Sequence, residues 1–93
     1  MAMTREKFLQ LCASTKNAGG FRAYQKTEAQ VNNPSKPVYR VYLDPGMNYP
    51  GGYKLLFSSR NNYTAYEAMN RFNMWLVQEG KHRDQLQKVG GEQ

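Results

Sequence analysis

The segment from Tyr63 to Gly80 constrains the fold most, because its start, its apolar side and its end can all be located from the sequence. Thr64 and Glu67 have the spacing of a capping box, in which each side chain accepts a hydrogen bond from the other residue's backbone N–H. Gly80 stands where a left-handed residue ends a helix. Apolar positions recur at helical spacing between these ends, and they are Ala65, Ala68, Met69, Phe72, Trp75 and Leu76. The segment predicts a helix of roughly 16 residues, about 24 Å long, that covers one face of a small sheet.

A shorter helix is predicted near the N-terminus, from Thr4 to about Lys16. Thr4 is a favourable N-cap, and Phe8 lies on the apolar side together with Leu11. A helix of this length is marginal in isolation, so its apolar side must pack on another element. Cys12 lies on the same side, and we expect it to be buried as a small apolar residue rather than exposed as a reactive thiol.

Between the helices, three stretches have the two-residue period of strands: 21–31, 38–43 and 53–59. The first has a thin apolar face, which predicts an edge strand. The second is rich in β-branched and aromatic residues and is the strongest of the three. In the third, Leu55 and Phe57 are expected to point to one side of the sheet, with Lys54 on the other.

The element order α-β-β-β-α predicts an α+β protein with a three-stranded antiparallel sheet and helices packed on one face. The 93 residues are expected to form a single domain, residues 1–93. Its ordered core is predicted at about 4–80, followed by a polar C-terminal tail at 81–93. The face of the sheet opposite the helices is expected to contact solvent.

This uncovered sheet face is the first candidate site. The chain has 13 Lys and Arg residues against 7 Asp and Glu, a formal net charge of +6 that favours nucleic acid or an acidic protein surface as partner. Basic groups contact phosphates, and tyrosine rings stack on unpaired bases. With one further residue at the start of the last helix, where N–H groups favour anions, the predicted nucleic-acid-binding residues are Arg22, Tyr24, Lys26, Arg40, Tyr42, Lys54 and Arg60. The alternative is an ordinary solvated face whose Lys and Tyr residues only discourage aggregation.

The loop from Asp44 to Gly52 is the second candidate site. No Lys-Ser/Thr pair and no helix follow it, which excludes a phosphate-binding P-loop. Met47 and Tyr49 are instead expected to form a protein-contact tip. The preferred prediction is a small basic nucleic-acid-binding module. The alternative is a small protein-interaction or inhibitor protein, for example a phage-encoded inhibitor of a host system, that acts through this loop.

Enzyme, metal and membrane roles find no support in the sequence. Cys12 and His82 are the only cysteine and the only histidine, which excludes an internal disulfide and a conventional Cys/His metal site. No nucleophile–base pair or cofactor-binding loop is recognisable, so we expect a non-enzymatic protein without cofactor or metal. No apolar run approaches the length of a membrane span, and we expect no membrane partner and a cytoplasmic location. The oligomeric state, and DNA, RNA or protein as the partner, stay open at this point.

The element order resembles that of the double-stranded RNA-binding domain. That family carries a basic cluster at the start of its last helix, whereas the corresponding positions here are Ala65, Tyr66, Glu67, Ala68, Met69 and Asn70. The three strands followed by a helix also look like those of AP2-type and integrase arm-binding domains. The segment from Tyr63 to Ala68 is similar to the aromatic, Thr and Glu-Ala start of their helix.

Overall fold

The computed structural model describes residues 3–33, 35–46 and 54–86. Its elements follow the predicted order: α1 (Arg5–Ala13), β1 (Arg22–Glu28), β2 (Val38–Asp44), β3 (Lys54–Ser59) and α2 (Asn62–Gln78). The strands form one antiparallel sheet in the order β1-β2-β3. The predicted α+β fold is confirmed, and so is the edge position of β1.

The two helices are joined to each other by an aromatic cluster. α2 packs across all three strands, and α1 packs on α2. The ring centroid of Phe8 on α1 lies 4.9 Å from that of Phe72 and 5.8 Å from that of Trp75. The rings of Phe72 and Trp75 meet edge to face at 5.6 Å. Offset and edge-to-face pairs add to the stabilisation that burial alone provides, so this cluster fixes where the two helices cross.

The core draws side chains from every element. Cys12 is only 2% exposed, and burial raises the pKa of its thiol to about 11 although the charge of Lys81 acts in the opposite direction. The expectation that this cysteine is buried is confirmed. Within the described residues, the other members of the buried core cluster are Phe8, Phe21, Ala23, Val41, Leu43, Leu56, Ala65, Ala68, Phe72 and Leu76.

The start of α2 differs from the prediction. Asn61 is the N-cap, with an extended backbone at φ −103° and ψ 118°, and its Oδ1 accepts a 3.0 Å hydrogen bond from the backbone N–H of Thr64. Thr64 therefore lies inside the first turn and cannot cap the helix. The predicted Thr64–Glu67 capping box is wrong, because the Asn61 amide satisfies the same donor from an earlier position.

The end of α2 agrees with the prediction. Gly80 has φ 68°, in the left-handed region that glycine adopts without steric cost. Its N–H donates to the carbonyl of Val77 at 3.1 Å, and the N–H of Lys81 donates to the carbonyl of Leu76 at 2.9 Å. These two bonds form a Schellman motif, which satisfies carbonyls at the helix end and turns the chain back toward β1.

A β-bulge in β3 changes the predicted faces of that strand. Val41 is opposite Phe57 and Tyr42 is opposite Leu55, so the residue between them, Leu56, has no partner on β2. Leu56 is buried beside Phe57, and Leu55 is turned outward and is 50% exposed. Past the bulge, Lys54 is opposite the buried Leu43 and therefore belongs to the helix-covered side of the sheet. The prediction that Lys54 lies on the uncovered face, with Leu55 on the other, is wrong.

β1 is shorter than predicted, and its outer edge is partly covered. The strand ends at Glu28, and Val31 is 97% exposed. The side-chain amide of Asn73 on α2 donates to the Ala23 carbonyl at 2.9 Å and accepts from the Ala23 N–H at 2.8 Å. This pair of bonds satisfies edge groups that an isolated edge strand would expose.

The chain after Gly80 is part of the packed structure. The N–H of Phe21 donates to the carbonyl of Lys81, and the N–H of Arg83 donates to the carbonyl of Phe21, both at 2.8 Å. His82 is 8% exposed, and residues 83–86 form a helical turn. Backbone pairing with Phe21 therefore attaches the residues just after Gly80, which the sequence assigned to the tail, to the sheet edge.

Candidate functional site

The sheet face turned away from α2 is the candidate site, and we call it the open face. None of the buried core residues in the described part of the chain belongs to it. The register of β1 with β2 gives it four cross-strand pairs in succession: Arg22 with Asp44, Tyr24 with Tyr42, Lys26 with Arg40, and Glu28 with Val38. β3 adds Leu55 beside Tyr42 and Ser58 beside Arg40.

The second of these pairs is an aromatic stack. The rings of Tyr24 and Tyr42 lie 5.7 Å apart between centroids, with an interplanar angle of 26°. Both side chains are half-buried. Because cross-strand neighbours on one face are held by the ladder, the ring pair is fixed in position and presents an aromatic surface between the basic residues on either side.

Glu28 links two of the predicted binding residues. Its Oε1 accepts from the Arg40 guanidinium at 2.6 Å, and its Oε2 accepts from the Tyr42 phenol at 2.8 Å. The hydrogen bond to Glu28, followed by burial, raises the pKa of Tyr42, although a hydrogen bond with Arg40 acts in the opposite direction. The Arg40 guanidinium is therefore already paired with the Glu28 carboxylate. The alternation of β1 puts Glu28 on the same face as Tyr24 and Lys26, but only the hairpin register shows which residues it contacts.

The first cross-strand pair, Arg22 with Asp44, also contains a carboxylate. Asp44 is opposite Arg22 and accepts from the Arg83 guanidinium, with N–O distances of 3.2 Å to each carboxylate oxygen. Arg83 also donates to the Asp44 carbonyl at 3.0 Å, and the Gly46 N–H donates to the Asp44 carboxylate at 2.8 Å. Partial burial acts to raise the pKa of Asp44, but these hydrogen bonds and the charges of Arg83 and Arg22 outweigh it and lower that pKa.

The charge on the open face is therefore moderate. The positive charges of this face belong to Arg22, Lys26 and Arg40, and the carboxylates of Glu28 and Asp44 offset part of them. Arg22 and Lys26 are exposed, and neither makes an ion pair within the part of the chain that the structure describes. Other exposed basic residues lie on the helices, so the formal charge of +6 is not concentrated on this one face.

The remaining predicted site residues lie apart from the open face. Arg60 follows β3, is exposed, and places its Nη2 3.5 Å from Oε1 of Gln30. It precedes the N-cap of α2, where the Thr64 N–H is already bonded to Asn61. Lys54 is exposed at the start of β3, on the helix-covered side. Met47 and Tyr49 lie outside the described residues.

The described residues also bear on metal-binding and membrane-spanning roles. Within residues 3–33, 35–46 and 54–86, no three His, Cys, Asp or Glu side chains are grouped closely enough to hold a metal ion. None of the helices described there is long and apolar enough to cross a bilayer. No family model, curated protein or solved structure matches this chain.

Proposed function

We propose that this protein binds nucleic acid through the open face. The observation that supports this proposal is the Tyr24–Tyr42 ring pair at 5.7 Å, placed between Arg22 on one side and Lys26 on the other. Residues two apart on a strand are separated by about 7 Å, so both basic side chains reach the neighbourhood of the rings. Stacking on the tyrosines holds bases, and Arg22 and Lys26 contact phosphates.

Single-stranded nucleic acid is the form that this arrangement favours. A tyrosine ring can stack only on a base whose face is unpaired and accessible, and such stacking tolerates any sequence. On the described open face, Arg22 and Lys26 are the cations that make no ion pair, and Arg22 lies opposite Asp44, which limits the electrostatic part of binding. Neutralising about two phosphates gives a slope of log affinity against log salt of about −1.4 for a single strand. The proposal therefore combines a shallow salt dependence with a strong dependence on the tyrosine rings.

Glu28 limits the affinity of the proposed site. Its carboxylate holds Arg40 at 2.6 Å and adds a negative charge beside the position of the phosphates. Glu28→Gln removes that charge while keeping an acceptor for Tyr42. On this proposal the change releases Arg40 as a third phosphate contact, tightens binding by about 3- to 10-fold, and steepens the single-strand salt slope by about 0.7.

Titration of labelled single-stranded and double-stranded oligonucleotides at two salt concentrations tests the proposal. The single strand is expected to bind more tightly than the duplex. Tyr42→Ala should weaken binding by about 1–3 kcal/mol, whereas Tyr42→Phe, which keeps the ring, should weaken it far less. Tyr63→Ala, at an exposed tyrosine on α2, is the matched control and should have no effect.

The proposal fails if dissociation constants are no tighter than about 100 µM at physiological salt, the level of weak non-specific association. It also fails if Tyr42→Ala and Tyr63→Ala have the same effect. In either case the competing function, an interaction or inhibitor protein for an acidic partner, takes its place, and Met47 and Tyr49 become the residues to test. The predictions that the protein is not an enzyme and lies in the cytoplasm stay predictions.

A further inference from the structure

The outer side of α2 carries an apolar stripe that does not contact the core. Tyr63 is 68% exposed, Tyr66 50%, Met74 57% and Val77 49%. With Asn70, which is also exposed, they lie on the side of the helix opposite Ala65, Ala68, Phe72 and Leu76, which pack on the sheet. We call these five residues, Tyr63, Tyr66, Asn70, Met74 and Val77, the outer stripe.

The spacing of the outer stripe is symmetric about Asn70. Tyr66 and Met74 are each four residues from it, and Tyr63 and Val77 are each seven residues away. Both spacings return to the same side of an α-helix. The stripe therefore presents the same pattern of apolar positions in either direction along the helix, which is the pattern that an antiparallel second copy requires.

Two opposite charges flank the stripe near Asn70, with Glu67 three residues before it and Arg71 one residue after it. Glu67 and Arg71 are exposed on one side of it, and neither forms an ion pair with any other described residue. When two copies of α2 lie antiparallel with Asn70 on the two-fold axis, Glu67 of each copy comes beside Arg71 of the other. A second copy of this chain therefore supplies an oppositely charged neighbour for both Glu67 and Arg71.

We propose that two copies of this protein associate through the outer stripe, with their α2 helices antiparallel and crossing at Asn70. In this two-fold interface Tyr63 packs beside Val77 of the second copy, and Tyr66 packs beside its Met74. The Asn70 amides meet on the axis, where a polar pair among apolar residues fixes the register of two helices. A different protein could cover the stripe, but it would not account for the symmetric spacing of its apolar positions about Asn70.

This inference goes beyond the proposed function and does not depend on it. The side of α2 that faces the sheet is opposite the outer stripe, and the open face is on the far side of the sheet. Association of two copies through the stripe therefore leaves both open faces uncovered and directed away from each other. If the open face binds nucleic acid as proposed, such a dimer holds two nucleic-acid segments at once.

The interface is expected to be weak. A helix of 17 residues is about 25 Å long. One such helix per copy supplies less than the about 800 Å² per partner of a standard stable interface. Self-association should therefore depend on concentration in the micromolar to millimolar range, which corresponds to weak binding.

Sedimentation velocity of the full chain, from about 10 µM to about 1 mM, measures this association. The wild-type protein is expected to pass from monomer to dimer, without larger species. Arg71→Glu places like charges together at two symmetric positions and should weaken dimerisation by about tenfold. The double variant Glu67→Arg with Arg71→Glu exchanges the charges and should restore the dimer to within about threefold of wild type. Met74→Glu should abolish the dimer while its circular dichroism spectrum is unchanged.

Lys7→Glu, an equal charge reversal on the exposed side of α1, is the control and should leave the association unchanged. A wild-type protein that remains monomeric at about 1 mM would overturn the proposal, as would a double variant that dimerises no better than Arg71→Glu alone. Equal weakening by Lys7→Glu and Arg71→Glu would also overturn it, because only general charge repulsion would then be involved. Nucleic-acid binding is measured separately on the same variants, so either proposal can fail without the other.

Discussion

The phenol of Tyr42 donates a 2.8 Å hydrogen bond to the carboxylate of Glu28 on the neighbouring strand. The same carboxylate holds Arg40 at 2.6 Å. A base that stacks on Tyr42 therefore contacts a ring whose hydroxyl group is already held by Glu28. The contact favours stacking but disfavours phosphate binding, because Glu28 reduces the positive charge that the sheet offers to phosphates.

The Tyr42–Glu28 bond is expected to appear in a phenol titration. The hydrogen bond from the phenol to Glu28, and to a lesser degree burial, raises the pKa of Tyr42. The phenol form is therefore favoured by folding, and its stabilising contribution is complete below about pH 10 and is lost as the pH rises through the folded pKa. In a titration followed by phenolate absorbance, Tyr42→Phe should remove a late-titrating group. Glu28→Gln should shift that group to lower pH; if it does not, the bond does not control the titration.

The cap of α2 is tested by a pair of alanine variants. Asn61→Ala should reduce the free energy of unfolding by about 1 kcal/mol, because the N–H of Thr64 loses its acceptor. Thr64→Ala should cost clearly less, since its hydroxyl is not the cap. Urea denaturation at neutral pH measures both values. A larger cost for Thr64→Ala than for Asn61→Ala would restore the capping box that the sequence indicated.

The aromatic cluster predicts the most sensitive position in the core. Phe72 is 1% exposed and contacts the rings of Phe8 and Trp75. Phe72→Ala should cost about 3–5 kcal/mol, most of the stability that a small domain possesses. Tyr66→Ala, six residues earlier on the exposed side, should change stability by less than about 0.5 kcal/mol. Thermal melting of the two variants within a few degrees of each other would show that the helix side is assigned wrongly.

The Asp44–Arg83 pair predicts how stability falls in acid. Burial acts against ionisation, but the bonds from Arg83 and Gly46 hold the pKa of Asp44 below its value in the unfolded chain, about 3.9. As the pH falls below about 4, the unfolded chain therefore takes up a proton first, and this contribution to stability is lost. Arg83→Met should reduce stability by about 1 kcal/mol at neutral pH. That difference should shrink at lower pH, and a difference independent of pH would exclude the ion pair as its cause.

Sequence reasoning located the features that depend on local spacing. The buried side of α2, the left-handed Gly80 and the strand order all follow from periodicity and from turn residues close together in the chain. The sequence also placed Arg22, Tyr24, Lys26, Arg40 and Tyr42 at alternating positions of two strands, and the β1–β2 register puts them on one face. Whether they bind nucleic acid stays a prediction.

The features that sequence reasoning missed depend on contacts between distant residues. Leu55 and Leu56 are both apolar, so alternation alone does not show that a bulge buries Leu56 and exposes Leu55. The attachment of residues 81–83 to Phe21 joins segments about sixty positions apart in the chain, and no local sequence pattern predicts it. The contacts of Glu28 with Arg40 and Tyr42 likewise require the hairpin register.

The central claim, that the open face binds nucleic acid, is tested most directly by mapping backbone amide chemical shifts while a short single-stranded oligonucleotide is added to ¹⁵N-labelled protein. We predict that the perturbed amides lie at 22–26 on β1 and 40–42 on β2, and that Tyr42→Ala removes most of these shifts. Amides along the outer stripe of α2 should not change. Absence of perturbation at saturating oligonucleotide, or perturbation confined to α2 or to residues outside the sheet, would contradict the claim.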